Sequence, residues 1–205
     1  KQKKITHTTC VMFITSDRVP MVIGQIFDMH PEALVTKPYT IRNLAKNIYN
    51  SLNLHRYLTP IYKMMDDDNY PQALILLDHL LDENTQPKKR SALLKLRARL
   101  LTKLGRHSEA ADLYRSVLQQ SDKVIWAKWG LVQSLFLDDK IEESETLLHE
   151  LTESALTNDK ACEWLARISV NNNQYSKAEN YMHKIHEGQL SISAARLKAF
   201  IYQAQ

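Results

Sequence analysis

Glycine is scarce in this chain, with 4 among 205 residues, and proline adds only 6. Turn-dense β sandwiches and barrels draw heavily on both, so abundant Leu, Ala, Lys and Glu favour helix. Two cysteines, Cys10 and Cys162, provide neither a disulfide framework nor a CxxC metal motif, which fits a reducing cytoplasm. No run of 18 apolar residues is present to span a membrane. Gly-rich phosphate loops, GxSxG, HExxH and a Cys/His nucleophile pair are all missing, so neither an enzyme nor a bound cofactor is expected. The formal charge of +4 suits acidic protein partners but falls short of a dedicated nucleic-acid binder. The opening Lys1-Gln2-Lys3-Lys4 has no initiator Met and no apolar signal core behind it, which reads as an excerpt of a longer protein.

What the chain does have is an internal repeat. Ala110, Ser144 and Ala178 recur every 34 residues, and Ala73 heads an earlier copy 37 residues before Ala110. Each copy places a ring or large residue three positions before the small one and a large apolar residue four positions after it. Tyr175, Ala178 and Met182 are one such set, and His107, Ala110 and Tyr114 another. A period of this length predicts stacked helical hairpins that bury their apolar faces against neighbours. Helices are expected over 55–67 and 70–83, 89–104 and 107–120, 124–137 and 141–154, and 159–171 and 174–187. Ser191 is expected to cap a last helix over 192–204. Gly105 should stop its helix and let the chain reverse.

These segments resemble the tetratricopeptide (TPR) repeat family. In that pattern the small residue sits where two helices cross closely, and a larger side chain would hold the backbones apart. Ala98, Val132 and Ala166, twelve positions before the last three small residues, stand at the partner position, where the family has glycine. The repeat-closing proline is replaced by Asp122, Leu156 and Leu190. By this resemblance, positions 2, 5, 9 and 12 of each first helix face a concave groove. In the third hairpin these are Trp126, Trp129, Gln133 and Phe136; Lys95 and Arg99 belong to the second, and Lys160, Glu163 and Arg167 to the fourth. Aromatic anchors among Arg and Lys have the composition of a peptide-binding hot spot, suited to an acidic, partly apolar peptide or helix. Packing of the tryptophans between hairpins is the competing reading.

The front segment differs. Cys10–Thr15 and Ala33–Thr36 are short β-rich runs, Val19 to Met29 reads as an amphipathic helix, and Thr40 should cap a helix holding Ile41, Leu44, Ile48 and Leu52. Strand, helix, strand, helix predicts the edge of a parallel α/β sheet. Phe13-Ile14-Thr15-Ser16 and Val35-Thr36-Lys37-Pro38-Tyr39 resemble the last two strands of a response-regulator receiver domain. The resemblance implies that Thr15 is the switch hydroxyl and that Lys37, followed by Pro38, pairs with the phosphoryl group. Leu34 stands where the family has an aromatic switch. The acceptor aspartate and the acidic residues that hold Mg in an intact receiver lie on earlier strands, so no Mg is expected in this chain.

The expected architecture is thus mainly α: a TPR-like α-solenoid over 54–205, preceded by a partial receiver-like α/β segment over 1–53. Bacterial response regulators of the VieB type are similar. The functional expectation is a cytoplasmic signalling adaptor of a two-component phosphorelay, binding a protein component of that relay through its repeats. A TPR scaffold subunit unrelated to phosphorelay and an RNA-associated helical repeat are the alternatives, and residues 1–53 should pair with a second copy or pack on the first hairpin. Asp66-Asp67-Asp68 and the His183/His186 pair read as solvated groups, because no further metal ligands stand within sequence reach.

Overall fold

The computed structural model describes residues 6–17, 22–23, 26, 29–83, 86–186 and 190–204, apart from the Lys88 side chain. Among these residues the chain is mainly helical, with two short parallel strands. Chain contacts divide the described residues into two compact units, one ending at Val124 and the other beginning at Ile125.

In the first unit, β1 (Met12–Thr15) and β2 (Ala33–Thr36) pair in parallel, Met12 opposite Ala33 and Thr15 opposite Thr36. The expected helix over 19–29 lies mostly outside the described residues. Helix α1 runs unbroken from Ile41 to Asp66, and the Thr40 hydroxyl caps it by accepting from Asn43 N–H at 3.1 Å. It fuses what the sequence reading took as two helices, so the expected division between residues 53 and 54 falls inside a helix. Leu52, Asn53 and Leu54 include no Gly or Pro to stop it, and Pro60 sits in its interior. Only its second half is buried, through Ser51, His55, Leu58, Ile61, Tyr62 and Met65, a stripe at helical spacing. Helices α2 (Tyr70–Glu83), α3 (Pro87–Lys103) and α4 (His107–Gln120) follow, each packed on the one before it. β2 also packs on α1, which agrees with the expectation that the front segment docks on the first hairpin.

The second unit contains α5 (Ile125–Leu137), α6 (Ile141–Thr152), α7 (Asn158–Asn171), α8 (Tyr175–His183) and α9 (Ile192–Ala204). Successive helices again pack together, and α9 also reaches α7. Helix α8 stops earlier than the expected end at 187. The Ser191 hydroxyl caps α9 as expected, accepting from Ala194 N–H at 2.9 Å.

The repeat positions behave alike in both units. Ala73, Ala110, Ser144 and Ala178, and their partners Ala98, Val132 and Ala166, are all fully buried at 0% exposure. The Ser144 hydroxyl donates to the Val132 carbonyl at 3.2 Å, so at this crossing α5 and α6 approach within one hydrogen bond. A buried hydroxyl needs a partner, and the backbone of the facing helix supplies it.

The turns between paired helices are also equivalent. Asp68, Gly105, Asp139 and Asn173 each adopt a left-handed backbone, with φ of 55°, 71°, 60° and 57°. The following N–H then bonds back across the turn: Asn69 to Met64 O, Arg106 to Leu101 O, Lys140 to Leu135 O and Gln174 to Ser169 O, at 2.7–2.9 Å. This helix-ending arrangement satisfies carbonyls that the terminated helix leaves open. The next helix begins at once, with the small residue's N–H bonding to the carbonyl of residues 69, 106, 140 and 174. Four turns of one geometry thus rest on Gly, Asp and Asn, the residues that tolerate positive φ.

Candidate functional site

The second unit holds most of the residues expected to line a groove. Trp126, Trp129 and Phe136 on α5 are half-buried, and Gln133 between them is exposed. Trp129 and Phe136 rest against the core formed by Val132, Leu148, Leu165 and their neighbours. The Lys160 ammonium lies 4.8 Å above the centre of the Trp129 ring, within cation–π range. Two turns further along α5 and one turn further along α7, Phe136 meets Trp164 edge-on with ring centres 5.6 Å apart. The contacts advance in the same direction along α5 and α7. Arg167 completes this face of α7 and pairs with Glu163 at 2.7 Å. Glu163 also accepts from the hydroxyls of Ser191 and Ser193 beside α9. Arg167 then lines an open hollow of about 520 Å³ with Ile192, Ser193, Arg196 and Leu197. Residues 160, 164 and 167 share a helix face because their spacing follows the helical period. Trp126 and Trp129 are therefore neither fully exposed nor fully enclosed, and Trp129 packs in part against the core.

The other two groove residues lie in the first unit. Lys95 is exposed and Arg99 half-buried on α3. Burial depresses the Arg99 guanidinium against the opposing pull of Tyr62, Glu32 and Tyr114. Tyr62 and Glu32 belong to an interior cluster in this unit that the sequence pattern does not reveal. Burial raises Tyr62 and Tyr114 to about 12, with Glu32 adding to the rise at Tyr62.

His55, on the buried stripe of α1, organises that cluster. Its Nδ1 lies 2.7 Å from Glu32 Oε1 and its Nε2 lies 3.0 Å from the Thr8 carbonyl. Tyr62 lies against the imidazole at 4.9 Å. The second Glu32 oxygen accepts from Val11 N–H at 2.7 Å, and Glu32 N–H donates to Val11 O. The thiol of Cys10 completes the group: Cys10, Glu32 and His55 each offer a ligand atom within 4.8 Å of the others. Burial, then Glu32, pushes the thiol's pKa up, so Cys10 stays protonated and is no activated nucleophile. Asp66 fastens the same chain segment. It accepts from the N–H groups of His7 and Thr8 and from the Thr8 hydroxyl. Desolvation works against its ionisation, but these hydrogen bonds prevail and hold the carboxyl below its ordinary range. Asp66 is therefore a clamp rather than the solvated group expected. His183 and His186 are exposed, as expected, and each stands beside its own carboxylate: His186 meets Asp159 at 3.1 Å and His183 meets Glu179 at 3.5 Å.

The receiver-like residues come together at the carboxyl ends of the parallel strands. Lys37 N–H donates to Thr15 O at 2.8 Å, and the Thr15 hydroxyl accepts from Asp17 N–H at 3.0 Å. Lys37 and Pro38 are exposed there and joined by a cis peptide. Ligand sites of open parallel sheets form at such strand ends. No helix among the described residues is long and apolar enough to cross a membrane. No protein-family model, curated protein or solved structure matches the chain.

Proposed function

We propose that the chain is a cytoplasmic adaptor built on TPR-like helical hairpins, which captures an acidic, partly apolar helix or peptide of a phosphorelay protein. The observation that carries this reading is the band on one face of α7: Lys160 over the half-buried Trp129, Trp164 against Phe136, and Arg167 at the hollow with Arg196. Aromatic anchors with solvent-facing parts beside cations are what binding hot spots use. The repeat reading draws support from the seven fully buried crossing positions and the four equivalent left-handed turns. The phosphorelay reading draws support from Thr15 and Lys37 at adjacent parallel strand ends, where a hydroxyl and an ammonium suit a phosphoryl group. Lys95 and Arg99 are no part of the proposed surface, since they lie in the other unit. This reading assigns the chain no catalysis.

Tryptophan fluorescence titration with acidic amphipathic peptides, and with histidine-phosphotransfer domains of the source organism, tests it. Trp129→Ala should weaken binding at least tenfold, the scale of a hot-spot truncation. Lys160→Ala with Arg167→Ala should do likewise with little change in stability. Peptide binding that survives all three substitutions would remove the surface from α7. Binding of peptides without any phosphotransfer domain would leave the adaptor and end the phosphorelay assignment.

A further inference from the structure

The contacts of His55 set a chemical requirement at its Nδ1. A carbonyl oxygen can only accept, so Nε2, at 3.0 Å from Thr8 O, carries the ring hydrogen. In the neutral ring Nδ1 is then a lone pair, and it faces a carboxylate oxygen at 2.7 Å. Two acceptors at that distance need a positive centre between them. A shared proton meets the need, and so does a metal ion.

We propose that Cys10, Glu32 and His55 bind a divalent ion of the zinc class, with solvent as the fourth ligand. Thiolate, imidazole and carboxylate together are donors zinc accepts, and harder ions such as magnesium would not select the sulfur. The orientation is already that of a metal ligand set: a liganding histidine characteristically gives its other N–H to a backbone carbonyl, as His55 does to Thr8. Glu32 is held the same way, its second oxygen fixed by Val11 N–H at 2.7 Å. Ligand distances of about 2.0–2.3 Å place tetrahedral donors about 3.3–3.8 Å apart. The three ligand atoms lie within 4.8 Å of each other, so closing on an ion needs only small side-chain movements. The Nδ1 to Oε1 separation would open by about 0.6 Å. Zinc uptake would displace the Cys10 thiol proton and the proton held between His55 and Glu32. Cys10 precedes β1, Glu32 precedes β2 and His55 sits on α1, so the ion would clip both strands to the helix. A Cys–His–Glu nucleophilic triad is a poorer account, because Nε2, the nitrogen that such a triad would turn to the thiol, is engaged by the Thr8 carbonyl.

Cobalt(II), a spectroscopic stand-in for zinc, tests the proposal on the whole chain. A single equivalent should give a thiolate-to-cobalt charge-transfer band with the strong visible bands of four-coordinate cobalt, and zinc should erase both. Cys10→Ser should abolish the charge-transfer band with unchanged helical circular dichroism, and Cys162→Ser should keep it. Glu32→Gln should weaken zinc binding by more than the ~10–100-fold typical of outer-shell changes. A folded wild-type chain that shows no thiolate band overturns the proposal and leaves a shared proton in the slot. A band that survives Cys10→Ser, or disappears with Cys162→Ser, overturns it equally.

Discussion

Replacing Gly105 by alanine isolates one energy, that of the left-handed turn between α3 and α4. Gly105 has φ of 71°, and a Cβ built there meets no atom within 4 Å. No clash contributes, so the cost is conformational. An L-residue in the left-handed region is disfavoured by about 1–2 kcal/mol. Alanine also narrows the unfolded ensemble, which returns about 0.4–1 kcal/mol. The net expectation is a loss centred on about 0.8 kcal/mol and no larger than about 1.6 kcal/mol. Asparagine at the same position should cost less, because its side chain tolerates this backbone. Asn173→Gly, at the equivalent turn of the other unit, should stay within about 0.5 kcal/mol of wild type, since relieved strain and added unfolded freedom oppose each other. Urea denaturation followed by circular dichroism measures all three, with slopes compared because two units can unfold separately. For a chain of this size, 1 kcal/mol corresponds to about 2–4 °C in thermal midpoint. A neutral Gly105→Ala variant, or Gly105→Asn as costly as Gly105→Ala, would refute the backbone explanation.

Ala110→Leu should overpack the α3/α4 crossing and cost roughly 1–3 kcal/mol; an unchanged thermal midpoint would contradict its placement. Ser144→Ala should cost no more than about 1 kcal/mol, the scale of one hydrogen bond, since other copies of the repeat carry alanine there. Tyr62 and Tyr114 have pKa values raised to about 12 from 10.0. The unfolded chain releases these protons first, so their contribution to stability is whole below pH 10 and is lost as pH rises from 10 towards 12. Tyr62→Phe with Tyr114→Phe should flatten the fall in midpoint over that window, and an equally steep fall in the double variant would assign it to other groups.

The helices and their turns were legible because their signals are local and repeated. The period marked Ala73, Ala110, Ser144 and Ala178, and each proves fully buried. Boundaries were least legible where no residue forces one. Nothing between Leu52 and His55 breaks a helix, so α1 continues through the expected division. Asp68, Asp139 and Asn173 occupy the same left-handed turn as Gly105, and only the glycine advertises it. An Asp or Asn five positions before each small residue was the available sign.

The polar cluster was illegible for the opposite reason. Cys10, Glu32 and His55 are far apart in sequence and match no ligand spacing; they meet because β1, β2 and α1 fold together. One trace of it was readable. Ser51, His55, Leu58, Tyr62 and Met65 keep the helical phase of a buried face, and a histidine on such a face must satisfy both ring nitrogens. A tyrosine two turns on, next to that histidine and raised by burial, marks the same interior. Arg99, a groove residue by the repeat pattern, is half-buried, and burial depresses its guanidinium against the opposing influence of Tyr62, Glu32 and Tyr114. In the second unit the Lys160 ammonium settles over the Trp129 ring. The repeat period alone therefore does not foretell the surroundings of these two cations, one half-buried and the other over an aromatic ring.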